Sequence, residues 1–157
     1  MKILVIGASG RLGSHLLPAL LSYKHEPVAF VRNPGKLDTM LPRSLLERIT
    51  VVQGDGEDID GIVLALRENQ CDGLICTAGS PGPVGAKAKK TLPYSRQGHI
   101  SESVAKAARI YGAERQKAGR PILRGWWVTG IAFLPDPFDK GKIMHDRYVS
   151  SVFVLRY

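Results

Sequence analysis

Three glycines recur at every third position directly after the first apolar run of the chain, in the segment GASGRLG at 7–13. Gly7 permits a tight turn from a strand into a helix, Gly10 lets backbone N–H groups approach a pyrophosphate, and Gly13 allows close helix–strand packing. A helix that begins here adds the partial positive charge of its N-terminus. The spacing predicts a dinucleotide site, and the alternative is a glycine turn that binds nothing.

The charge at the end of the second predicted strand bears on which dinucleotide would bind. Arg32 stands there, where an Asp or Glu would accept hydrogen bonds from the ribose of NAD. Arg32, with Lys36 and Arg11 close to the same loops, can form charge-assisted bonds to a 2′-phosphate. We therefore expect NADP(H) as the cofactor rather than NAD(H). The alternative, that Arg32 and Lys36 are solvated loop charges, stays open.

Two further strand ends carry residues suited to the same ligand. Asp55 and Gly56 follow the third predicted strand, where a carboxylate can accept a hydrogen bond from an adenine amino group. Asp55 can equally stabilise its own turn. Thr77, Ala78 and Gly79 close the fourth strand, and their small side chains leave room for a cofactor in the crevice that open α/β sheets form at the carboxyl ends of their strands.

The elements that must position these residues alternate between short β-rich runs and helical patterns, which predicts βαβ units and a parallel sheet. Strands are predicted at Lys2–Ile6, 28–31, 49–52, 73–77 and 122–128, with a last strand-like run at 152–155. Helices are predicted at 10–22, 42–48, 58–69 and 99–117, and Pro18 is expected to interrupt and kink the first of them. Apolar stripes are predicted on two of these helices: Leu12, Leu16, Leu17, Leu20 and Leu21 on the first, and Ile59, Ile62, Val63 and Leu66 on the third. A long loop is predicted at 78–93.

This pattern predicts an α/β protein made of a single Rossmann-type domain over residues 1–157. Its sheet should be mostly parallel and doubly wound, with strand order 3-2-1-4-5 and an optional sixth strand. A length of 157 residues suits one domain. No apolar run approaches the ~20 residues that span a bilayer, so we expect a soluble protein without a membrane partner.

Composition narrows the remaining classes. The two cysteines, Cys71 and Cys76, provide neither a disulfide framework nor a metal spacing, so we expect no metal and a reducing, cytoplasmic location. A net charge of +8 suits nucleic acid, an acidic membrane or a phosphorylated ligand. The basic run at 87–90 lacks interleaved aromatics and a known motif, so nucleic acid is not expected as a partner.

On these residues the chain resembles the atypical short-chain dehydrogenase/reductases, and among them the NmrA-like and the flavin-reductase or biliverdin-reductase-B-like NAD(P)H-binding proteins. The resemblance rests on the glycine loop at 7–13, Val31-Arg32-Asn33-Pro34, Gly54-Asp55 and Thr77-Ala78-Gly79, and it weakens towards Trp127-Val128-Thr129-Gly130. It implies the following contacts: Ser9, Arg11 and Leu12 with the phosphates, Arg32 with the 2′-phosphate, Asp55 and Gly56 with the adenine, and Thr77, Ala78 and Thr129 with the nicotinamide side.

The chain departs from this family in its acid–base residues. Many short-chain reductases use a Tyr-x-x-x-Lys pair, whereas Tyr94, Tyr111 and Tyr148 are not followed by lysine four residues later. No catalytic residue is therefore assigned. A proton could come from the segment that holds His145, Asp146 and Tyr148, but a polar surface turn is the favoured interpretation of this segment. The region after Gly130 also looks shortened relative to the substrate region of the family.

Two functions remain after this comparison of residues. The leading hypothesis is an NADP(H)-dependent oxidoreductase that transfers hydride to a small carbonyl, quinone or flavin-like acceptor. The alternative is a non-catalytic NAD(P)H-binding redox-sensing regulator of the NmrA-like type. The expected partners are accordingly a small-molecule substrate or a regulatory protein. A shortened C-terminal region would also leave apolar surface for a homodimer.

Overall fold

The computed structural model describes residues 1–78, 96–130 and 150–155, with side chains described at 1–78 and 99–127. Strands and helices alternate along the chain, as predicted. The elements are β1 (Lys2–Ile6), α1 (Arg11–Ser22), β2 (Glu26–Val31), α2 (Gly35–Asp38), α3 (Arg43–Leu46), β3 (Thr50–Gln53), α4 (Ile59–Glu68), β4 (Gly73–Cys76), α5 (Arg96–Lys117), β5 (Arg124–Gly130) and β6 (Ser150–Leu155).

The strands form one sheet in the order β3-β2-β1-β4-β5-β6. The first five pair in parallel, so that Leu4 of β1 lies beside Val28 on one side and Leu74 on the other. The last strand pairs antiparallel with β5. The predicted Rossmann-type order 3-2-1-4-5 is confirmed, and the sixth strand is present at the edge.

Both faces of the sheet are covered, which explains why the central strands are apolar throughout. Ile3 and Val5 of β1 pack in a core cluster with the buried leucines of α1. Leu4 and Ile6, which point to the opposite face, pack in a second cluster with α4 and α5. The period-two alternation of β1 thus divides one apolar run between two helical layers.

The first helix differs from the sequence prediction in two respects. Pro18 does not interrupt it, because α1 continues to Ser22 with Pro18 inside. Proline costs the helix the bond that its N–H would donate to Ser14. Leu12 was expected in the apolar stripe, yet it is 49% exposed at the start of the helix.

Short-range contacts define the other helix boundaries. Asp58 caps α4, because its Oδ1 accepts a hydrogen bond from the N–H of Gly61 at 3.1 Å. α5 ends at Lys117, and two residues later Gly119 is left-handed (φ +66°), so that the N–H of Arg120 donates to the carbonyl of Arg115 at 2.9 Å. The single-turn α2 was missed from the sequence, since four residues are too few to show a helical period.

A buried arginine ties the end of α5 to the start of β4. The Arg115 side chain is 2% exposed and donates to the carbonyls of Cys71 (2.8 Å) and Pro121 (2.9 Å) and to Oδ1 of Asp72 (3.3 Å). Its guanidinium also lies 5.8 Å from the centre of the Tyr111 ring. These bonds anchor the C-terminal end of α5 beside the amino end of β4. The glycine loop lies at the opposite, carboxyl ends of the strands.

Candidate functional site

The strand order reverses between β1 and β4, because α1 leads from β1 towards β2 while the chain after β4 continues towards β5. At such a switch point the two connections diverge and leave a crevice at the carboxyl ends of the strands. Thr77 closes β4 against β1, since both its N–H (2.9 Å) and its hydroxyl (3.0 Å) donate to the carbonyl of Ile6. Thr77 and Ala78, two of the small residues predicted at this strand end, therefore border the glycine loop.

The glycine loop is tightly built around its own backbone. Gly7 has φ +81°, and its Cβ, if present, would lie 2.7 Å from the backbone nitrogen of Ala78. The N–H of Gly10 donates to the carbonyl of Gly7 at 2.9 Å. A Cβ on Gly13 would overlap the same carbonyl oxygen and the backbone of Ala8. Gly7 and Gly13 thus have the steric roles that their spacing predicts, and the approach of a pyrophosphate to Gly10 stays a prediction.

The start of α1 faces the crevice with its backbone donors uncapped. Gly10 is the N-cap residue and offers no side chain to accept a hydrogen bond, and the first turn holds no acidic residue. The N–H groups of Arg11, Leu12 and Gly13 have no acceptor within the helix, as at every helix N-terminus. Ser9 is half-buried beside them. The arrangement is suited to an anionic group.

The carboxyl end of β2 presents positive charge to solvent. Arg32 and Lys36 are both exposed, and the N–H of Lys36 donates to the carbonyl of Asn33 at 3.2 Å in the turn between them. The side-chain amide of Gln53 donates to the carbonyl of Arg32 at 3.4 Å. The carbonyl of Arg32 is therefore bonded to the last residue of β3, while its side chain is exposed to solvent.

The loop between β3 and α4 forms a third wall. Gly54 lies under the ring of Phe30, which fills the space where a Cβ would stand. Asp55 does stabilise its own turn: its Oδ1 accepts from the N–H of Glu57 at 3.1 Å, and its carbonyl accepts from the N–H of Asp58 at 3.0 Å. The turn interpretation of Asp55 is thus observed, and its contact with adenine stays a prediction.

Helix α5 contributes two residues to this wall that the sequence did not indicate. A Cβ on Gly56 would lie 3.1 Å from Cγ2 of Ile100. The hydroxyl of Ser103 donates to the carbonyl of Glu57 at 3.0 Å. No local signal could reveal these contacts, because they join residues more than forty positions apart in the sequence.

The remaining candidates are placed as follows. Thr129 lies near the carboxyl end of β5 and pairs with Ser151. Gly79, Tyr94, His145, Asp146 and Tyr148 lie outside the described residues, as does the basic run at 87–90. Tyr111 is 3% exposed and belongs to the core beneath α4 and α5, away from the crevice.

Cys76 at the end of β4 is buried, as free cysteines in proteins commonly are. Burial raises the pKa of its thiol, an effect that a hydrogen bond from the Ala78 backbone offsets in part. The protonated form is therefore held at neutral pH. A thiol in this state is a poor nucleophile.

The described residues contain neither a candidate metal site nor a helix that could span a membrane. Among them, no group of three or more His, Cys, Asp or Glu side chains could hold a metal ion. Over the same parts of the chain, each helix is too short or too polar to cross a bilayer.

Comparison with protein families gives a match over most of the chain. Residues 7–122, more than half of the chain, match the family described as NAD(P)H-binding. No curated protein matches the sequence.

Solved structures share the fold at low sequence identity. The UDP-glucose 4-epimerase of Bifidobacterium longum, solved with NAD+ and UDP, has a TM-score of 0.60 at 19% identity over 71% of this chain and 34% of its own. The UDP-N-acetylglucosamine 4-epimerase of Bacillus cereus has a TM-score of 0.61 at 13% identity, over 97% and 46%. The KRED1-Pglu enzyme has a TM-score of 0.61 at 20% identity, over 86% and 59%. The chain thus spans about a third to three fifths of the length of these proteins.

Proposed function

This chain belongs to the NAD(P)H-binding family, and from that membership we propose that it binds NADP(H) in the crevice between β1 and β4 and takes part in hydride transfer. The observation that carries the proposal is the uncapped start of α1 beneath a glycine loop, next to the end of β4. An NAD(P)H-binding, oxidoreductase-like fold is established, whereas the choice of cofactor and the reaction are the proposal.

The pyrophosphate would bind over the first turn of α1. Its negative charge suits the helix N-terminus, where Gly10 provides no competing side chain and no acidic residue repels it. The backbone N–H groups of Arg11 and Leu12 would donate to the phosphate oxygens, with Ser9 beside them. The exposed side chain of Leu12 would then be covered by the ligand, which gives a reason for an apolar residue at that position.

The 2′-phosphate would be held by the exposed cations after β2. Arg32 and Lys36 are free to adjust to a phosphate, and Arg11 can approach from the glycine loop. Planar guanidinium groups form bidentate, charge-assisted hydrogen bonds with phosphate oxygens. The adenine would lie by Asp55 and Gly56, where the carboxylate can accept a hydrogen bond from the amino group.

The nicotinamide would lie at the ends of β4 and β5, beside Thr77, Ala78, Gly79 and Thr129. When bound, the cofactor supplies a hydride from C4 of the ring. The chain's residues would orient that ring against a small carbonyl, quinone or flavin-like acceptor. Reduction of a carbonyl also requires a proton on its oxygen, which solvent can supply, since no acid is assigned.

One observation favours the second candidate, a nicotinamide-sensing regulator of the NmrA-like type. Neither of the two tyrosines with described side chains is placed to act on a substrate, because Tyr111 is buried in the core and Tyr23 lies at the far end of α1. The two candidates differ in turnover, not in cofactor binding. Consumption of NADPH with a panel of quinones, flavins and aldehydes would support the oxidoreductase.

The proposal is tested by titrating the purified chain with NADPH and NADH by isothermal calorimetry. We expect NADPH to bind at least tenfold more tightly, since NADH lacks the phosphate that Arg32 and Lys36 would contact. Fluorescence of Trp126 and Trp127, which lie in β5 close to Thr129, provides an independent readout. Binding of neither nucleotide would overturn the cofactor proposal, and tighter binding of NADH would overturn the assignment of Arg32.

A further inference from the structure

Ser103 is a buried polar residue of α5 whose contacts lead to the adenine side of the proposed site. It is 9% exposed, and its hydroxyl donates to the carbonyl of Glu57 at 3.0 Å. The N–H of the same residue, Glu57, donates to Oδ1 of Asp55 at 3.1 Å. The backbone of Glu57 is therefore held from both sides, by a hydroxyl on one and a carboxylate on the other.

A second contact from the same helix presses on this loop. Gly56 packs against Ile100, which lies one turn before Ser103 on α5, and a Cβ on Gly56 would meet its Cγ2 at 3.1 Å. The loop from Asp55 to Glu57 is thus clamped by an apolar contact and a hydrogen bond. Both contacts come from one face of α5, since Ile100 and Ser103 are three residues apart in the helix.

We propose that Ser103 is a positioning residue for adenine recognition, which acts by holding Glu57 so that the carboxylate of Asp55 faces the adenine amino group. This inference rests on the cofactor site proposed above. A carboxylate held in place loses less conformational entropy when a ligand binds, so the hydrogen bond to the amino group contributes more to affinity. Ser103 itself touches neither the cofactor nor the substrate.

The test compares NADPH with its deamino analogue, nicotinamide hypoxanthine dinucleotide phosphate, in which a carbonyl oxygen replaces the adenine amino group. Wild-type protein should bind NADPH about tenfold more tightly than the analogue, because Asp55 can accept from the amino group but not from the oxygen. In Ser103→Ala this preference should fall to about threefold or less. A loss of folded protein lowers both affinities equally and leaves their ratio unchanged.

The matched control is Ser22→Ala, which also deletes a serine hydroxyl bonded to a backbone carbonyl, that of Ala19 at 2.7 Å, at the other end of α1. Its preference ratio should equal that of wild type. Ile100→Ala loosens the same loop without touching the hydroxyl and should lower the ratio as Ser103→Ala does. It serves if Ser103→Ala does not fold.

The possible outcomes separate the two proposals. An unchanged ratio in Ser103→Ala, or in Ile100→Ala where the serine variant does not fold, overturns the role of Ser103 while wild-type cofactor binding stands. A wild-type ratio near one overturns the adenine contact of Asp55, and with it this inference. Absence of NADPH binding by wild type overturns the cofactor site itself.

Discussion

Gly7 and Ala78 approach each other so closely that the backbone nitrogen of Ala78 occupies the space of a Cβ on Gly7, at 2.7 Å. The contact joins the glycine loop after β1 to the end of β4 and closes the floor of the crevice. Two observations require glycine at position 7. A Cβ would overlap the Ala78 backbone, and φ is +81°, a value that L-residues rarely adopt.

Gly7→Ala should therefore lower both stability and cofactor affinity. We expect a loss of about 2 kcal/mol or more in the free energy of unfolding, from left-handed strain and from displacement of the Ala78 backbone. Urea denaturation followed by tryptophan fluorescence measures the first effect, and NADPH calorimetry the second. Wild-type stability in this variant would contradict the close approach.

Arg32→Asp should reverse the expected cofactor preference. The change removes a phosphate donor and adds a carboxylate that repels the 2′-phosphate and can accept from a ribose hydroxyl. We expect NADPH affinity to fall about 10- to 100-fold while NADH affinity holds or rises. Arg48→Asp, with the same charge change at an exposed site before β3, is the control. An equal effect of both variants would point to net charge alone.

Two glycines at the end of α5 should respond to alanine in opposite directions. A Cβ on Gly112 meets no atom within 4 Å, so Gly112→Ala should stabilise the helix by about 0.5–1 kcal/mol. Gly119 has φ +66°, so Gly119→Ala should destabilise the chain by about 1 kcal/mol. Thermal denaturation of the pair provides the measurement, and shifts of the same sign would contradict the helix end described above.

Asp72 should make stability depend on pH in the acid range. Partial desolvation raises the pKa of its carboxyl, but hydrogen bonds from the Lys2 backbone and Arg115 outweigh it, and the net pKa is lowered. A lowered folded-state pKa stabilises the protein above the unfolded pKa of about 3.9, and that contribution is lost as the pH falls through the folded value.

Asp72→Asn should accordingly be less stable than wild type at pH 7. The loss should be below about 1 kcal/mol, because the carboxylate is partly exposed to solvent. The difference between the two proteins should shrink below pH 4, as the wild-type carboxyl becomes protonated. Urea denaturation at pH 7, 5 and 3 measures it. A difference that stays constant over this range would rule out the ionised form as its source.

Both cysteines should resist thiol reagents in the folded protein. Burial raises the pKa of Cys71 to about 12 and also raises that of Cys76, so little thiolate forms at pH 8. Ellman's reagent should react slowly with the native protein. In urea, where the chain is unfolded, it should react rapidly with both thiols. Single alanine variants assign each thiol. Rapid reaction of Cys76 in the native protein would contradict its burial and its raised pKa.

Features that depend on a short stretch of chain could be predicted from the order of the amino acids. The spacing of Gly7, Gly10 and Gly13 after an apolar run was sufficient to predict the turn and the helix start, because steric fit at a strand–helix turn is local. The continuous apolar run of β1 predicted a buried strand, and the spacing of the inward residues of α4 predicted an amphipathic helix. The chain of such elements in order predicted the doubly wound sheet, which the structure confirms.

Contacts between residues far apart in the sequence could be found only from the tertiary structure. Gly7 approaches Ala78, and Ser103 bonds to Glu57. The buried Arg115 bonds to the carbonyl of Cys71. Each of these contacts joins segments far apart in the sequence and depends on how the elements pack. Pairing with β4 places the start of β5 at Arg124, two residues later than propensity predicts. The exposure of Leu12 in the first turn of α1 likewise depends on packing, because no other described element covers it.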